Sequence, residues 1–335
     1  MRRVAITGAT GFVGANLAKV LCDGDYEVVA TRRATSRTAH LDELELAWAE
    51  ADLSDVDGLA RAFEGAEVVF HCAAAVSIKP QVTPTLQAAN VEGTRNILEA
   101  CRRARVERLV YCSSTVAVGL ATGEPDADES TPWNFGEFGL ADGYATTKRL
   151  GEELALGCED LDVVAVNPGF MFGPYDQRPS SGAMLLEVVK RKVPGYSAGV
   201  NCFVDVRDVA RGMVLAMEKG RRGERYILGD ENLSYGAIFR RIAAVAGTKP
   251  PSMEVPRVVA SVAGLLGDLA EAVTGKEPLL NSNSVRWGYS RGFRFSSDKA
   301  RRELGYTTRP LDEGIAAALA WFRDEGMVGP LPNFP

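Results

Sequence analysis

Thr7-Gly8-Ala9-Thr10-Gly11-Phe12-Val13-Gly14 is the stretch on which the reading of the fold turns. It follows the apolar strand-like run Arg3–Thr7 and opens the helical pattern Gly11–Cys22. Glycines at 8, 11 and 14 between a strand and a helix permit a tight turn and close backbone approach. The helix N-terminus then offers amide donors and a positive dipole to a pyrophosphate. A strand–helix turn that merely packs tightly is the competing reading, and the flanking elements weigh against it. Gly8, Thr10, Gly11, Phe12, Val13 and Gly14 are therefore the expected phosphate-binding residues.

Outward from that loop, β-rich runs alternate with helical patterns, which is the pattern of a parallel sheet covered on both faces. Strands are predicted at Glu27–Thr31, Leu44–Glu50, Glu67–Cys72, Arg108–Ser113 and Val163–Asn167. Helices are predicted at Val56–Phe63, from about Thr85 to Arg103, and at Gly143–Gly157. The expected fold is α/β, a Rossmann-type doubly wound parallel sheet with a smaller C-terminal α/β substrate lobe. Residues 1–168 would form the dinucleotide-binding domain, its sheet completed by segments near 203–212 and 224–229. Residues 169–328 would mainly form the substrate lobe, and 329–335 a surface tail. Val255 to Val273 reads as an amphipathic helix of that lobe, with peripheral membrane contact as the minority reading.

The 335 residues are 46% apolar, enough for one large core plus a smaller lobe. A formal charge of −6 provides no global field for nucleic acid or anionic membranes. The six cysteines show no CxxC or metal-ligand spacing, so no metal is expected and a reduced, cytoplasmic setting is. No segment reaches the ~20 uninterrupted apolar residues of a spanning helix, and a strand beginning within three residues of the N-terminus leaves no room for a signal peptide.

The end of the second strand carries Arg32 and Arg33, where a site preferring NAD would place a carboxylate on the ribose 2′-hydroxyl. Two guanidiniums favour a 2′-phosphate, so NADPH is the expected cofactor, with NAD still open. Asp52 and Leu53 would flank the adenine, and Ala73, Ala74 and Ala75 would let the backbone pass close to the cofactor. Tyr144 and Lys148 lie four apart on a predicted helix and share a face. A nearby ammonium favours the phenolate and is expected to lower the tyrosine pKa from its usual value of about 10. Ser114 would hold a substrate oxygen while Tyr144 gives or takes its proton. Lys148 could also bond the nicotinamide ribose, and Asn90 would orient a water or the lysine.

With the glycine loop, the Ser pair and Tyr144-Ala-Thr-Thr-Lys148 in one order, the chain resembles an extended short-chain dehydrogenase/reductase over nearly its whole length. Asn90-Val-Glu-Gly-Thr94, Cys112–Gly119, Asn167–Pro174, Phe203–Gly212 and the Ser297–Tyr306 region also match. The resemblance implies a Ser114–Tyr144–Lys148 triad, hydride transfer at a nicotinamide, contacts from Ser113, Pro168 and Gly169 to the cofactor, and a homodimer. Thr115-Val116 stands where the family's dehydratases carry an Asp-Glu pair, which disfavours elimination of water. Asn201 stands where sugar-nucleotide epimerases carry a phosphate-gripping arginine, although Arg286 and Arg291 lie near. Arg33 matches the dihydroflavonol reductase and 3β-hydroxysteroid dehydrogenase branch. Glu224–Gly229 and Thr274-Gly-Lys-Glu-Pro278 resemble bacterial members labelled as sugar epimerases.

Val76, Thr115, Trp133, Phe135, Phe170, Phe172, Tyr175 and Phe203, with Ser114, are the candidate substrate contacts. For any single aromatic among them, core filling is the commoner role, Trp133 and Phe135 being the better candidates. The function expected is reduction of a hydrophobic ketone or oxidation of the matching alcohol. A nucleotide-sugar 4-epimerase with tightly bound NAD and a non-catalytic NADP(H)-binding sensor stand as alternatives.

Overall fold

A computed structural model describes residues 1–275 and 280–334 of the protein. Lys276, Glu277 and Pro278 of the stretch singled out above, and Pro335 of the tail, lie outside the described residues. The first half runs β1 (Arg2–Thr7), α1 (Phe12–Cys22), β2 (Tyr26–Arg32), β3 (Ala47–Glu50), α2 (Val56–Ala62), β4 (Val68–His71), α3 (Pro84–Leu86), α4 (Gly93–Ala104), β5 (Arg108–Cys112), α5 (Gly143–Leu156) and β6 (Asp162–Pro168). The second continues with β7 (Phe170–Phe172), α6 (Gly182–Val189), β8 (Val200–Asp205), α7 (Val206–Lys219), β9 (Arg225–Leu228), β10 (Glu231–Ser234), α8 (Tyr235–Ala246), α9 (Arg257–Thr274), α10 (Ser282–Gly288), α11 (Asp298–Leu304) and α12 (Leu311–Asp324).

Seven parallel strands form the central sheet in the order β3-β2-β1-β4-β5-β6-β9. Alternate residues of each strand feed different cores. Val4, Ile6, Phe70, Val110 and Val164 pack with α1 and α7, while Ala5, Val69, Leu109, Tyr111 and Val163 pack with α2 and α4. Burial on both faces explains why β4 reads as the unbroken run Val-Val-Phe-His rather than as an alternation. β1 has β2 on one side and β4 on the other, so the chain reverses its order there. The crevice outside the carboxyl ends of β1 and β4 is the topological switch point of the sheet.

Three expectations need correction. The third strand begins at Ala47, because Leu44 and Leu46 turn to pack against the core beside α1. Residues 203–205 do not extend the central sheet. They belong to β8, which pairs with β7 and antiparallel β10 in a separate three-stranded sheet, and α7 follows at once. Only the 224–229 segment, through β9, joins the large sheet, pairing with β6. The C-terminal segment is anchored to α8: Leu331 is buried in the same core as Ile242, Ala243 and Ala246, and the exposed Asn333 donates to the carbonyls of Ala244 and Val245. Finally, the helix expected near 85–103 is interrupted by a π segment, Gln87–Glu92.

The Asp205-Val-Arg-Asp208 stretch is structural. Both carboxylates are buried, and Arg207, Arg211 and Arg309 neutralise them, tying α7 to the loop before α12. Asp205 also caps α7 through the amide of Arg207.

Candidate functional site

The glycine loop closes at the switch point. Gly8 sits at φ +74°, and a Cβ there would lie 2.5 Å from the amide nitrogen of Ala73, so β1 and the end of β4 meet through backbone alone. A Cβ on Gly14 would lie 2.1 Å from the carbonyl oxygen of Gly8, which is why α1 can rest directly on the loop. No side chain caps α1, and its first turn holds no acid. Its leading amides and positive dipole therefore face the crevice unopposed. The Ser113 hydroxyl is buried and has no hydrogen-bond partner among the described residues. An uncapped helix end, a cradle that any Cβ would fill, and an orphaned hydroxyl suit a dinucleotide.

At the outer end of the crevice Arg32 lies over the Trp48 ring, 5.7 Å from its centroid, while Arg33 is exposed in a turn closed by Ser36. No acid follows β2 directly. Asp52 is the nearest compensation: Ser54 holds its carboxyl below the usual range, and the charge of Arg33 adds to that. Leu53 packs against Gly93, and its carbonyl accepts from Asn96, fixing the turn after β3. On the inner side Gly169 can approach the carbonyl of Cys202 closely because it has no side chain, and its amide bonds Leu228.

Ser114, Tyr144 and Lys148 converge at the end of β5. Asp142 caps α5 through the amide of Ala145, which places Tyr144 and Lys148 on the inward face of its first two turns. Ser114 faces Tyr144 closely enough to favour its phenolate, and its Oγ accepts from the Val116 amide at 3.4 Å. Lys148 is buried, donates to the Cys112 carbonyl at 2.9 Å, and lies 5.2 Å from the Tyr111 ring centre. Burial works against its charge, but Tyr111, Tyr144, Cys112 and Glu152 outweigh that and leave its pKa raised. The expected lowering of the Tyr144 pKa is not what this environment produces. Burial pushes the phenol up, and Lys148 and Ser114 offset it only in part.

Asn90 is held by backbone and by α5. The π segment turns it inward, where its amide holds the backbone of Ala75 from both sides and donates to the Thr147 hydroxyl. It thus ties Ala75 to α5 through Thr147, the residue before Lys148. His71, at the end of β4, bonds Thr7 at 2.7 Å; burial, helped by Lys148, takes its pKa down to about 3 and keeps it neutral.

One layer behind the trio lies a network the sequence reading missed. Asn167 donates to the Ser114 carbonyl at 2.9 Å and to Glu152, while Arg225 reaches the other Glu152 oxygen at 2.9 Å. Arg225 also donates to the carbonyls of Ala117 and Glu129, both in the segment that follows Ser114. The signal was available for Glu152, which follows Tyr144 and Lys148 at the same four-residue interval.

The proposed substrate contacts divide. Phe135, Phe172 and Phe203 are wholly buried, and Thr115 nearly so. Phe172 and Phe203 stack in the second lobe with the half-buried Phe170 at their edge, and Phe135 packs with Trp287 and Phe293, so Phe135, Phe172 and Phe203 fill cores rather than line an opening. Tyr175 turns away at φ +71°, towards His40 and Trp321. Trp133 lies beneath Arg149 and donates to the Val116 carbonyl. Val76, 66% exposed, follows Ala75 at the rim. A cavity of about 740 Å³ opens between the lobes beside Phe138 and Leu140, and its charged lining is entirely arginine: Arg257, Arg286, Arg291 and Arg294.

Residues 4–229 match the NAD dependent epimerase/dehydratase family. The chain is 35% identical over 331 residues to a protein of Synechocystis named putative dihydroflavonol 4-reductase, spanning 96% of this chain and 95% of that one. It is 36% identical over 328 residues to sterol demethylase protein B of Methylococcus capsulatus, spanning 96% and 99%. The crystal structure of PA4631, a nucleoside-diphosphate-sugar epimerase from Pseudomonas aeruginosa, superposes with a TM-score of 0.79 at 28% identity, covering 98% of this chain and 99% of that one. Glycine loop, switch-point crevice and sequence relationship agree, and the chain belongs to the NAD dependent epimerase/dehydratase family, the extended short-chain dehydrogenase/reductases.

Proposed function

We propose that the protein is a reductase of lipophilic ketones that prefers NADPH, working in reverse as an alcohol dehydrogenase. The observation that carries this reading is the convergence of Ser114, Tyr144 and Lys148 beside the crevice. Gly8 to Gly14, Ser113 and Ala73 to Ala75 would hold the dinucleotide, and Arg33 the 2′-phosphate. When bound, the nicotinamide supplies or takes up a hydride. Ser114 donates to the substrate oxygen and fixes its position. Tyr144, kept protonated by burial, delivers a proton to that oxygen, and Lys148 stabilises the phenolate left behind. The names of the Synechocystis and Methylococcus relatives, a putative dihydroflavonol 4-reductase and a sterol demethylase protein B, point to ring ketones or alcohols as the substrate class.

A sugar-nucleotide epimerase is the second reading, favoured by the arginine-lined cavity, which suits a phosphorylated substrate. Turnover and cofactor titration separate the two. Stripped protein should consume NADPH with dihydroflavonol or 3-ketosteroid substrates, and Arg33→Ala should weaken NADPH about tenfold while sparing NADH. Protein that retains NAD through purification and interconverts UDP-sugars would replace the first reading by the second.

A further inference from the structure

α9 is built inside out. A helix on a protein surface ordinarily turns its large apolar residues inward. Here the inward seam is small: Ala260 and Gly264 are buried, and a Cβ on Gly267 would lie 1.9 Å from the Leu280 carbonyl oxygen. The large residues Val258, Val259, Val262, Leu265, Leu266 and Leu269 point outward, from 54% exposed at Val262 to 79% at nearby Val273. At about 100° per residue these side chains cover an arc of roughly 120°, and the exposed alanines 263, 270 and 272 widen it to roughly 180°. The apolar surface continues sideways onto the loop after β4 through Val76, Ile78 and Val82, each partly or largely exposed. That loop is fixed to the helix: Lys79 pairs with Glu271 at 3.2 Å, and Asn283 donates to the Ile78 carbonyl.

We propose that α9 and the 76–82 loop form a docking surface for a lipid bilayer, with the helix lying along the interface. One partner helix would cover a single stripe, whereas an apolar half-cylinder extended by a flanking loop matches a planar partner. At 18 residues α9 is about 27 Å long, and no described helix is long and apolar enough to cross a membrane, so the surface is one that rests on lipid. The charges around the face suit anionic headgroups. Arg257 is exposed at the N-terminal end, with Arg286 and Arg291 in the cavity beneath it. Of the acids on the helix, Glu271 is neutralised by Lys79, and Asp268 accepts the Ser282 amide; Glu254 lies on the preceding loop. The same hairpin reaches the chemistry, since Asn283 also donates to Asp142, the cap of α5, at 2.8 Å. Lipid docking would thus set the rim of the crevice against the bilayer.

The test floats the purified full chain on a density gradient with vesicles of phosphatidylcholine and phosphatidylglycerol. The wild-type chain should rise with the vesicles. The double variant Leu266→Gln, Leu269→Gln, which changes two exposed side chains, should melt like the wild type and associate roughly tenfold less or weaker still. A wild-type chain that stays with the unbound protein, or a double variant that floats equally well, would overturn the proposal. So would a wild-type dimer in ultracentrifugation that neither floats nor survives the double substitution, which would assign the face to a second copy.

Discussion

Replacing Glu152 by Ala removes the carboxylate that faces both Asn167 and Arg225 behind Ser114, Tyr144 and Lys148. Breaking a fully buried ion pair costs about 3–5 kcal/mol. Two features reduce the expectation. Arg225 keeps the carbonyls of Glu129 and Ala117 and is 27% exposed, and Asn167 keeps the Ser114 carbonyl. What is lost is two hydrogen bonds to a charged group, so about 3 kcal/mol is the reasonable figure. Unfolding entropy near 2.1 cal/mol/K per residue over 335 residues gives roughly 0.7 kcal/mol/K, and the melting temperature should fall by about 4 °C. Glu152→Gln keeps an acceptor for Asn167 and loses only the charge, so its loss should be nearer 1–2 kcal/mol. The assay is calorimetry on wild type, both variants, Arg225→Met and the Glu152→Ala, Arg225→Met double variant. The double variant should be less destabilised than the sum of the two single changes, because each single change strands the other partner. An alanine variant that melts within about 1 °C of wild type, or strict additivity of the two changes, would refute the network as the support of the Ser114 turn.

Three further outcomes follow from the same geometry. Tyr144→Phe should lower kcat by about 10²–10⁴-fold, the usual worth of a positioned proton donor, while a fluorescence titration finds dinucleotide binding nearly unchanged. Gly14→Ala should weaken dinucleotide binding by at least about tenfold and destabilise the fold by about 1–3 kcal/mol, because its Cβ would meet the Gly8 carbonyl at 2.1 Å; normal binding would show that α1 can slide off the loop. His71 is neutral in the fold down to about pH 3, against an ordinary value of 6.5, so the unfolded chain binds the proton first. Its contribution is complete above pH 6.5 and is lost as acid is added, at up to about 1.4 kcal/mol per pH unit. His71→Gln should flatten that part of the stability profile, as urea titrations between pH 7 and 4 would reveal.

The dinucleotide half was readable because its elements are dictated locally. A strand buried on both faces must be apolar throughout, and a loop that passes within contact of a neighbouring strand must be glycine, so Val4–Thr7 and Gly8–Gly14 carry their structure in their composition. The second lobe depends on partners distant in sequence. β8 has the same apolar character as a strand of the large sheet, and only pairing with β7 and β10 settles where it belongs. The aromatic residues show the same limit. Phe135, Phe172 and Phe203 satisfy a pocket and a core equally well as residue types, and packing alone distinguishes the two. The anchoring of the C-terminus is illegible for a related reason: the described glycine and prolines there are exposed, while the partners of Leu331 and Asn333 lie on α8.

Tyr144 is where sequence and structure disagree most usefully. A lysine one turn away argues for an acidified phenol, and charge alone would make Tyr144 a base. The depth of the site reverses the balance, because desolvating the phenolate outweighs the attraction of Lys148 and the contribution of Ser114. A phenol with a raised pKa keeps its proton and is a weaker acid than usual, so in the proposed reaction the proton leaves only with help from a neighbouring cation. Lys148, itself kept charged by Tyr111, Tyr144, Cys112 and Glu152, then has the task of stabilising the anion after transfer. The buried carboxylate of Glu152 serves both ends of this arrangement, favouring the ammonium of Lys148 and holding Asn167 against the Ser114 carbonyl. Burial thus opposes, and Lys148 favours, the Tyr144 phenolate, and the proposed proton transfer turns on that balance.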